Sequence, residues 1–330
     1  MFSKLYKNSP VKNILVITLS NIGDVVLTAP VMDILLRDFP AAKLSLIVGA
    51  KAASLFEGNP RIERNHIFDK KLDFWQRIQW TLSLRRYHYD LVVDLRNSMI
   101  GYFLFPRWMM SPASWVNPKI HYKERHLSRL RMLYDYISHP ISSLLAIAPS
   151  QSDEICVDQL LKFFLDARGD FVVIAPNASN LSKAWSREEF IKLSNNIVDK
   201  YSLKIVLIGA AVDREKNEYI VSHCRVPILN LVGKTNLIQT AALIRRAKIL
   251  VTNDSGPMHL ASYFNKPIIA LFGPTDPSLY GPWSSLFKVV RKNDDCPYCA
   301  DSKSEIPHNC MENLTQEDVF NAFQEVYEKI

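Results

Sequence analysis

Short apolar, β-branched runs recur along the chain, each followed by a polar turn and then by residues with helical spacing. Asn13 to Leu19 (NILVITL) is the first run, Ser20 to Asp24 the turn, and Val25 to Phe39 the helix. Lys43 to Val48 and Tyr89 to Leu95 (YDLVVDL) repeat the strand signal. The chain turns polar between Ala148 and Ser152, and Glu154 to Ala167 then reads as a helix. Phe171 to Ala175, Lys204 to Gly209, Lys248 to Thr252 and Ile268 to Phe272 form a second series of apolar runs separated by helical segments. Continuous apolar runs of this length suit strands buried on both faces, and their alternation with helices gives βαβ units and parallel sheets. The pattern predicts two α/β domains with a boundary near residues 150–170, set at 1–166 and 167–330. Gln316 to Ile330 reads as a terminal amphipathic helix, expected to pack back on the first domain.

The stretch from Ala247 to Pro277, AKILVTNDSGPMHLASYFNKPIIALFGPTDP, is the most informative. Asn253, Asp254, Ser255 and Gly256 break the strand, and Met258 to Phe264 is helical. Ser255 suits an N-cap, and Pro257 suits a first helical turn, where its missing N–H is no loss. Gly256 has no Cβ and lets a ligand approach the backbone. Ligands bind at the C-terminal ends of strands in open α/β sheets, and helix N-termini there favour anions. His259, one helical turn after Ser255, is expected to face the same spot. A phosphate group is the natural occupant; a well-capped crossover helix that binds nothing explains the caps equally well.

The chain has 330 residues, 48% hydrophobic and 22% charged, as in an ordinary globular protein of two domains. No apolar run approaches the roughly 18 residues of a membrane span. The start, MFSKLYKNSPVKNILVITLSNIGD, reads as a tail and first strand rather than a secretion signal, so a cytoplasmic location is expected. Residues 1–150 carry 20 Lys and Arg against 11 Asp and Glu, whereas residues 151–330 carry 20 against 22. The basic half suits an anionic partner such as a nucleic acid, an anionic lipid or a phosphorylated glycolipid. MIGYFLFPRWMMSPASW, within residues 99–116, suits either a membrane interface or a core helix broken at Pro106. The basic residues from Lys123 to Arg131 lie beside it in sequence.

Cys156 and Cys224 are isolated and read as buried or inert. Cys296, Cys299, His308 and Cys310 form CPYC-x8-H-x-C, open to a structural zinc, a redox-sensitive pair or no special role. The turn after the first strand has one glycine, Gly23, where a dinucleotide-binding loop needs three at fixed offsets. That argues against a nicotinamide-dependent oxidoreductase. The same turn places Asp24 at the mouth of the sheet, as a helix-start cap or as a base.

NDSGPMHLA followed by LFGPTDP resembles the C-terminal signature of glycosyltransferase family 9, the bacterial lipopolysaccharide heptosyltransferases. Further segments match in the same order, and coverage is weakest between Asn97 and Ser150. The resemblance implies the GT-B arrangement, two Rossmann-like domains with a central cleft, the acceptor on the first and the donor on the second. SNIGDVVLTAP resembles the N-terminal motif, in which Asp24 would be the catalytic base, and EGNPRIERNHIF resembles the segment that follows. APNASNLSKAW resembles the phosphate-binding loop, with Ser179 and Lys183 at the donor diphosphate. Asp213 in GAAVDRE matches a position holding donor hydroxyls, and Thr235 in LVGKTNL one lining the nucleotide pocket. Asp254, Ser255, Gly256 and His259 complete the implied donor site.

The implied reaction is metal-independent, inverting transfer of heptose from ADP-heptose to a lipopolysaccharide core, without a cofactor, at the cytoplasmic face of the inner membrane. A transferase using another sugar donor and an inactive sugar- or lipid-binding relative are the alternatives. Asp254 beside a diphosphate is electrostatically unfavourable unless it binds sugar hydroxyls or orients backbone amides.

Overall fold

The computed structural model describes residue 5 and residues 9–110, 116–134, 144–165, 169–292 and 310–330. Two compact units divide after Ser150. The first contains β1 (Asn13–Ile17), α1 (Ile22–Asp38), β2 (Lys43–Val48), β3 (Ile62–Ile67), α2 (Phe74–Ser83), β4 (Leu91–Asp94), α3 (Ile100–Leu104), β5 (Trp108–Met109) and α4 (Tyr122–Leu133). The second contains α5 (Gln151–Leu161), β6 (Phe171–Ala175), α6 (Arg187–Tyr201), β7 (Lys204–Leu207), α7 (Arg214–His223) and β8 (Ile228–Asn230). It continues through α8 (Leu237–Arg246), β9 (Ile249–Asn253), α9 (Gly256–Tyr263), β10 (Ile268–Leu271), α10 (Pro277–Tyr280), β11 (Phe287–Val290) and α11 (Gln316–Tyr327).

Each unit is built on one parallel sheet, ordered β3-β2-β1-β4-β5 in the first and β11-β10-β9-β6-β7-β8 in the second. The apolar runs are the central strands. Leu15 to Ile17, Val172 to Ile174 and Ile249 to Val251 are fully buried because helices cover both faces of each sheet. In the first unit the strand order reverses between β1 and β4, and in the second between β6 and β9. At such switch points the flanking loops diverge and leave a crevice at the C-terminal edge of the sheet.

The expected boundary at 166/167 differs from the observed one. α5 packs on α8, with Glu154 paired to Arg245 and Asp158 to Arg246, each at 2.6 Å, so it belongs with the second unit. It also ends at Leu161 rather than Ala167. The terminal helix α11 packs on α6, β10 and β11 of its own unit. In the first unit the buried Asp33 of α1 accepts from the amides of Leu145 and Ala146, both at 2.8 Å, while Asn59 Nδ2 donates to both their carbonyls. α3 ends at Phe105, in the left-handed region at φ 49°, and Pro106 follows. Ile100, Gly101 and Leu104 of this helix face the core, while Tyr102, Phe103 and Phe105 are exposed. Residues 111–115 of it lie outside the described residues.

Candidate active site

The C-terminal edge of the second sheet gathers most of the residues singled out from sequence. β6 leads to Ser179 and Lys183, β7 to Asp213, β8 to Thr235, and β9 to Asp254, Ser255, Gly256 and His259. Residues up to 80 positions apart in sequence thus share one edge because all the strands run the same way.

At the switch point, Lys183 Nζ lies 2.6 Å from Asp254 Oδ2, with the carboxylate side chain 6% exposed and the lysine 28%. The neighbouring Asn253 makes this pairing possible. Its buried side chain accepts from the Trp185 amide at 3.3 Å and donates to the Pro176 carbonyl at 2.8 Å, clamping the loop after β6 onto the end of β9. Trp185 Nε1 donates to the Leu314 carbonyl at 2.7 Å, a second anchor for the same loop. A Cβ on Gly273, after β10, would stand 2.8 Å from the Ser182 carbonyl oxygen, so only glycine permits this loop so close to the lysine.

Ser255 occupies the N-cap of α9, but its hydroxyl meets Thr252 Oγ1 at 3.1 Å and does not cap the helix. The expectation of a capping side chain is corrected: the hydroxyl turns back to the strand. The Met258 amide donates to the Ser255 carbonyl at 3.1 Å and Pro257 has no N–H, so at the positive end of α9 the backbone amide of Gly256 is the one offered to a ligand. Asp213 sits at the N-cap of α7, where its backbone carbonyl accepts from Asn217 Nδ2 but its carboxylate makes no capping bond. Ser179 is exposed, and Thr235 Oγ1 lies 2.9 Å from Thr240 Oγ1. His259 is only 5% exposed and stacks on Trp283, with centroids 5.6 Å apart and planes at 26°. It is a buried ring of α9 packed against Trp283.

Sequence reasoning missed Asn177. Its Nδ2 is buried without a hydrogen-bond partner among the described residues, and a Cβ on Gly209 would lie 2.8 Å from it. An amide donor left unpaired beside a glycine is a place for a ligand acceptor. The signal was visible in part, as an Asn and a Gly each two residues past a strand end.

In the first unit, Asp24 lies in the first turn of α1, half-buried, and Asn21 Nδ2 donates to its Oδ2 at 2.9 Å. Across the switch point, Arg96 after β4 donates to Ser20 Oγ at 3.2 Å and its guanidinium lies 4.0 Å over the Phe68 ring. Burial pulls the Arg96 pKa down, the nearby Asp94 pushes it up, and Arg77 pulls it down again. The Asp94 carboxyl is only 2% exposed, accepts from the Arg96 amide and from Ser98 Oγ, each at 2.9 Å, and is raised by burial above its ordinary pKa.

Arg129 of α4, 6% exposed, donates to the carbonyls of Asp94 and Leu95 and to Asn97 Oδ1. It pins the turn after β4, so one arginine counted in the basic excess serves the fold. His126, one turn earlier, is 6% exposed. Burial, with Arg129 and Arg125 nearby, lowers its pKa to about 3.

Among the described residues no cluster of three or more His, Cys, Asp or Glu could hold a metal. Of CPYC-x8-H-x-C only Cys310 is described, as a buried cysteine; Cys296, Cys299 and His308 lie outside the described residues. Cys156 and Cys224 are free and half-buried, and burial pushes the Cys224 thiol up to about 11.

The arrangement resembles known proteins throughout its length. Lipopolysaccharide heptosyltransferase 3 of Escherichia coli K12 is 26% identical over 293 residues, covering 79% of this chain and 83% of that protein. The crystal structure of a family 9 glycosyl transferase from Veillonella parvula superposes with a TM-score of 0.81 at 22% identity, over 97% of this chain and 98% of the other. E. coli ADP-heptose lipopolysaccharide heptosyltransferase II gives 0.75 at 22% identity, over 96% and 99%. These neighbours share the GT-B architecture of two Rossmann-like units. The sequence profile described as glycosyltransferase family 9 (heptosyltransferase) matches residues 115–309, and with it the chain is placed: it belongs to glycosyltransferase family 9 and is a glycosyltransferase.

Proposed function

We propose that this glycosyltransferase moves a heptose from ADP-heptose to a lipopolysaccharide core acceptor, with inversion at the anomeric carbon, at the cytoplasmic membrane surface. Relatives named as lipopolysaccharide heptosyltransferases and a structural neighbour named for ADP-heptose support the substrate pair. The observation that carries the reading is the switch point of the second sheet, where one ammonium, an uncapped helix N-terminus and an orphan amide converge on one edge.

The donor diphosphate lies at the N-terminus of α9, held by the amide of Gly256, by Ser255 and Ser179, and by Lys183. Asn177 donates to the same ligand. Asp254 fixes the ammonium until the donor arrives and then accepts from hydroxyls of the sugar. Asp213 binds donor hydroxyls, Thr235 lines the nucleotide side, and His259 supports α9 from behind.

Asp24 takes the proton of the acceptor hydroxyl as that oxygen bonds to the anomeric carbon. Asn21 holds one carboxylate oxygen and leaves the other to receive the proton. The bond from the anomeric carbon to the diphosphate breaks, and ADP leaves with the electron pair. Fixed dipoles and one cation stabilise the departing charge most where it develops.

Release of ADP from ADP-heptose and other nucleotide sugars, with truncated lipopolysaccharides as acceptors, tests the proposal. Turnover with ADP-heptose alone supports it. Turnover only with another donor replaces the sugar, and donor binding without any turnover makes the protein an inactive relative.

A further inference from the structure

Eight of the sixteen large hydrophobic side chains exposed among the described residues lie between Ile67 and Phe105. The helix α2 is the centre of this concentration. Five of its ten residues are apolar, yet Thr81 is the one residue it fully buries. Phe74 is 68% exposed and Trp75 72%, and their rings meet edge to face with centroids 5.5 Å apart. Apolar side chains on a helix normally form a stripe that faces the core, so these contribute little to folding.

α3 lies beside α2 and continues the surface. Phe105 closes it 73% exposed, with the Arg85 guanidinium 4.8 Å over its ring. Phe105 also holds φ at 49°, a conformation that strains a bulky residue and suits glycine or asparagine.

The charge on this surface selects the partner. Residues 70–86 contain five Lys and Arg and a single acid, Asp73, which is engaged in capping α2. Among the described residues none of those five forms an ion pair with a carboxylate. Aromatic side chains interleaved with unpaired cations match the interface of an anionic bilayer, where rings enter the headgroup layer and cations meet phosphates. No helix among the described residues is long and apolar enough to cross a membrane, so contact through them is from the surface.

We propose that α2, with the adjoining α3, docks the protein on an anionic phospholipid bilayer, Phe74, Trp75 and Phe105 entering the headgroup layer while Arg85 and Arg86 face lipid phosphates. The inference deepens the membrane setting of the proposed function and rests on that reading for its purpose, though not for its measurement. Docking there brings the turn of Asp24 near the bilayer, because α2 and α3 start from the same sheet edge as that turn.

The test is flotation of the full chain with vesicles of phosphatidylethanolamine and phosphatidylglycerol, and with vesicles of phosphatidylcholine alone. The wild type is expected to bind the anionic vesicles about tenfold or more tightly than the neutral ones, and less as salt rises. Phe74→Ser with Trp75→Ser is expected to weaken that binding about tenfold or more, as is Arg85→Ser with Arg86→Ser. Both double variants should turn over a soluble, deacylated acceptor at the wild-type rate, which also reports that they fold.

Failure of the wild type to bind anionic vesicles overturns the proposal, as does unchanged binding by the variants. Loss of a dimer in light scattering, with vesicle binding intact, would make the surface a contact between copies and overturn it as well. Vesicle binding that survives with no turnover on any acceptor supports the docking surface and counts against the transfer reaction alone.

Discussion

Lys183 and Asp254, 71 positions apart in sequence, meet at 2.6 Å where the second sheet reverses its strand order. The contact resolves the conflict of a carboxylate beside a diphosphate. Before the donor binds, the aspartate balances a lysine that would otherwise stand alone against the N-terminal dipole of α9. In the proposed reaction the arriving diphosphate gives the ammonium a second anion to bridge to.

Opposite signs are therefore expected from the two halves of the pair. Lys183→Ala should weaken ADP binding by about 1.5–3 kcal/mol, roughly tenfold to a hundredfold. Asp254→Asn removes a negative charge from beside the diphosphate and should leave ADP binding unchanged or tighter, while turnover falls. Titration calorimetry reads both. Equal weakening by the two substitutions would mean that Asp254 touches the nucleotide itself.

Asp24→Asn keeps the shape of the side chain and its contact with Asn21 but loses the proton acceptor. Turnover should fall by about a hundredfold or more with the ADP dissociation constant unchanged. Near-normal turnover in single-turnover assays would remove Asp24 from the role of base.

Asn253→Ala severs both bonds that hold the loop after β6. The Trp185 amide and the Pro176 carbonyl are then buried without partners, at a cost of about 2–4 kcal/mol of stability. Because that loop carries Lys183, ADP affinity should drop in the same variant. A loss of stability with unchanged affinity, measured by denaturant titration and calorimetry together, would show that the lysine is placed by something else.

His126 makes stability sensitive to acid. Its pKa falls from the ordinary 6.5 to about 3 in the folded chain, so the unfolded chain binds the proton first. Above about pH 6.5 neither state is protonated and the group has no effect; between 6.5 and 3 folding stability falls as pH drops, by up to about 1.4 kcal/mol per unit. His66, lowered to about 4 mainly by burial, acts in the same direction from 6.5 to 4 with a smaller effect, since it is partly solvated. His126→Leu should flatten the slope of unfolding free energy between pH 6 and 4 relative to the wild type. Parallel slopes would show that the imidazole is protonated in the folded state.

Much of the framework can be read locally. A buried parallel strand needs an unbroken apolar run, and a turn leading into a helix needs small polar residues, glycine or a first-turn proline. NILVITL, FVVIA, ILVTN and IIAL therefore announce strands without any partner in view. The order of those strands places the candidate donor residues on one edge; the turn after β9 was legible from its residue types, Ser179, Lys183, Asp213 and Thr235 came from the family resemblance, and Asn177 was missed.

What the sequence could not determine is which way individual side chains turn. Ser255 has the residue type of a cap and instead bonds to Thr252, and the stacking of His259 on Trp283 is invisible to local spacing. Arg129 reads as one more surface cation until α4 lays it across the carbonyls after β4. Local spacing fixes the face of a helix or strand. Only the packing of segments far apart in the chain decides whether that face meets protein, ligand or solvent.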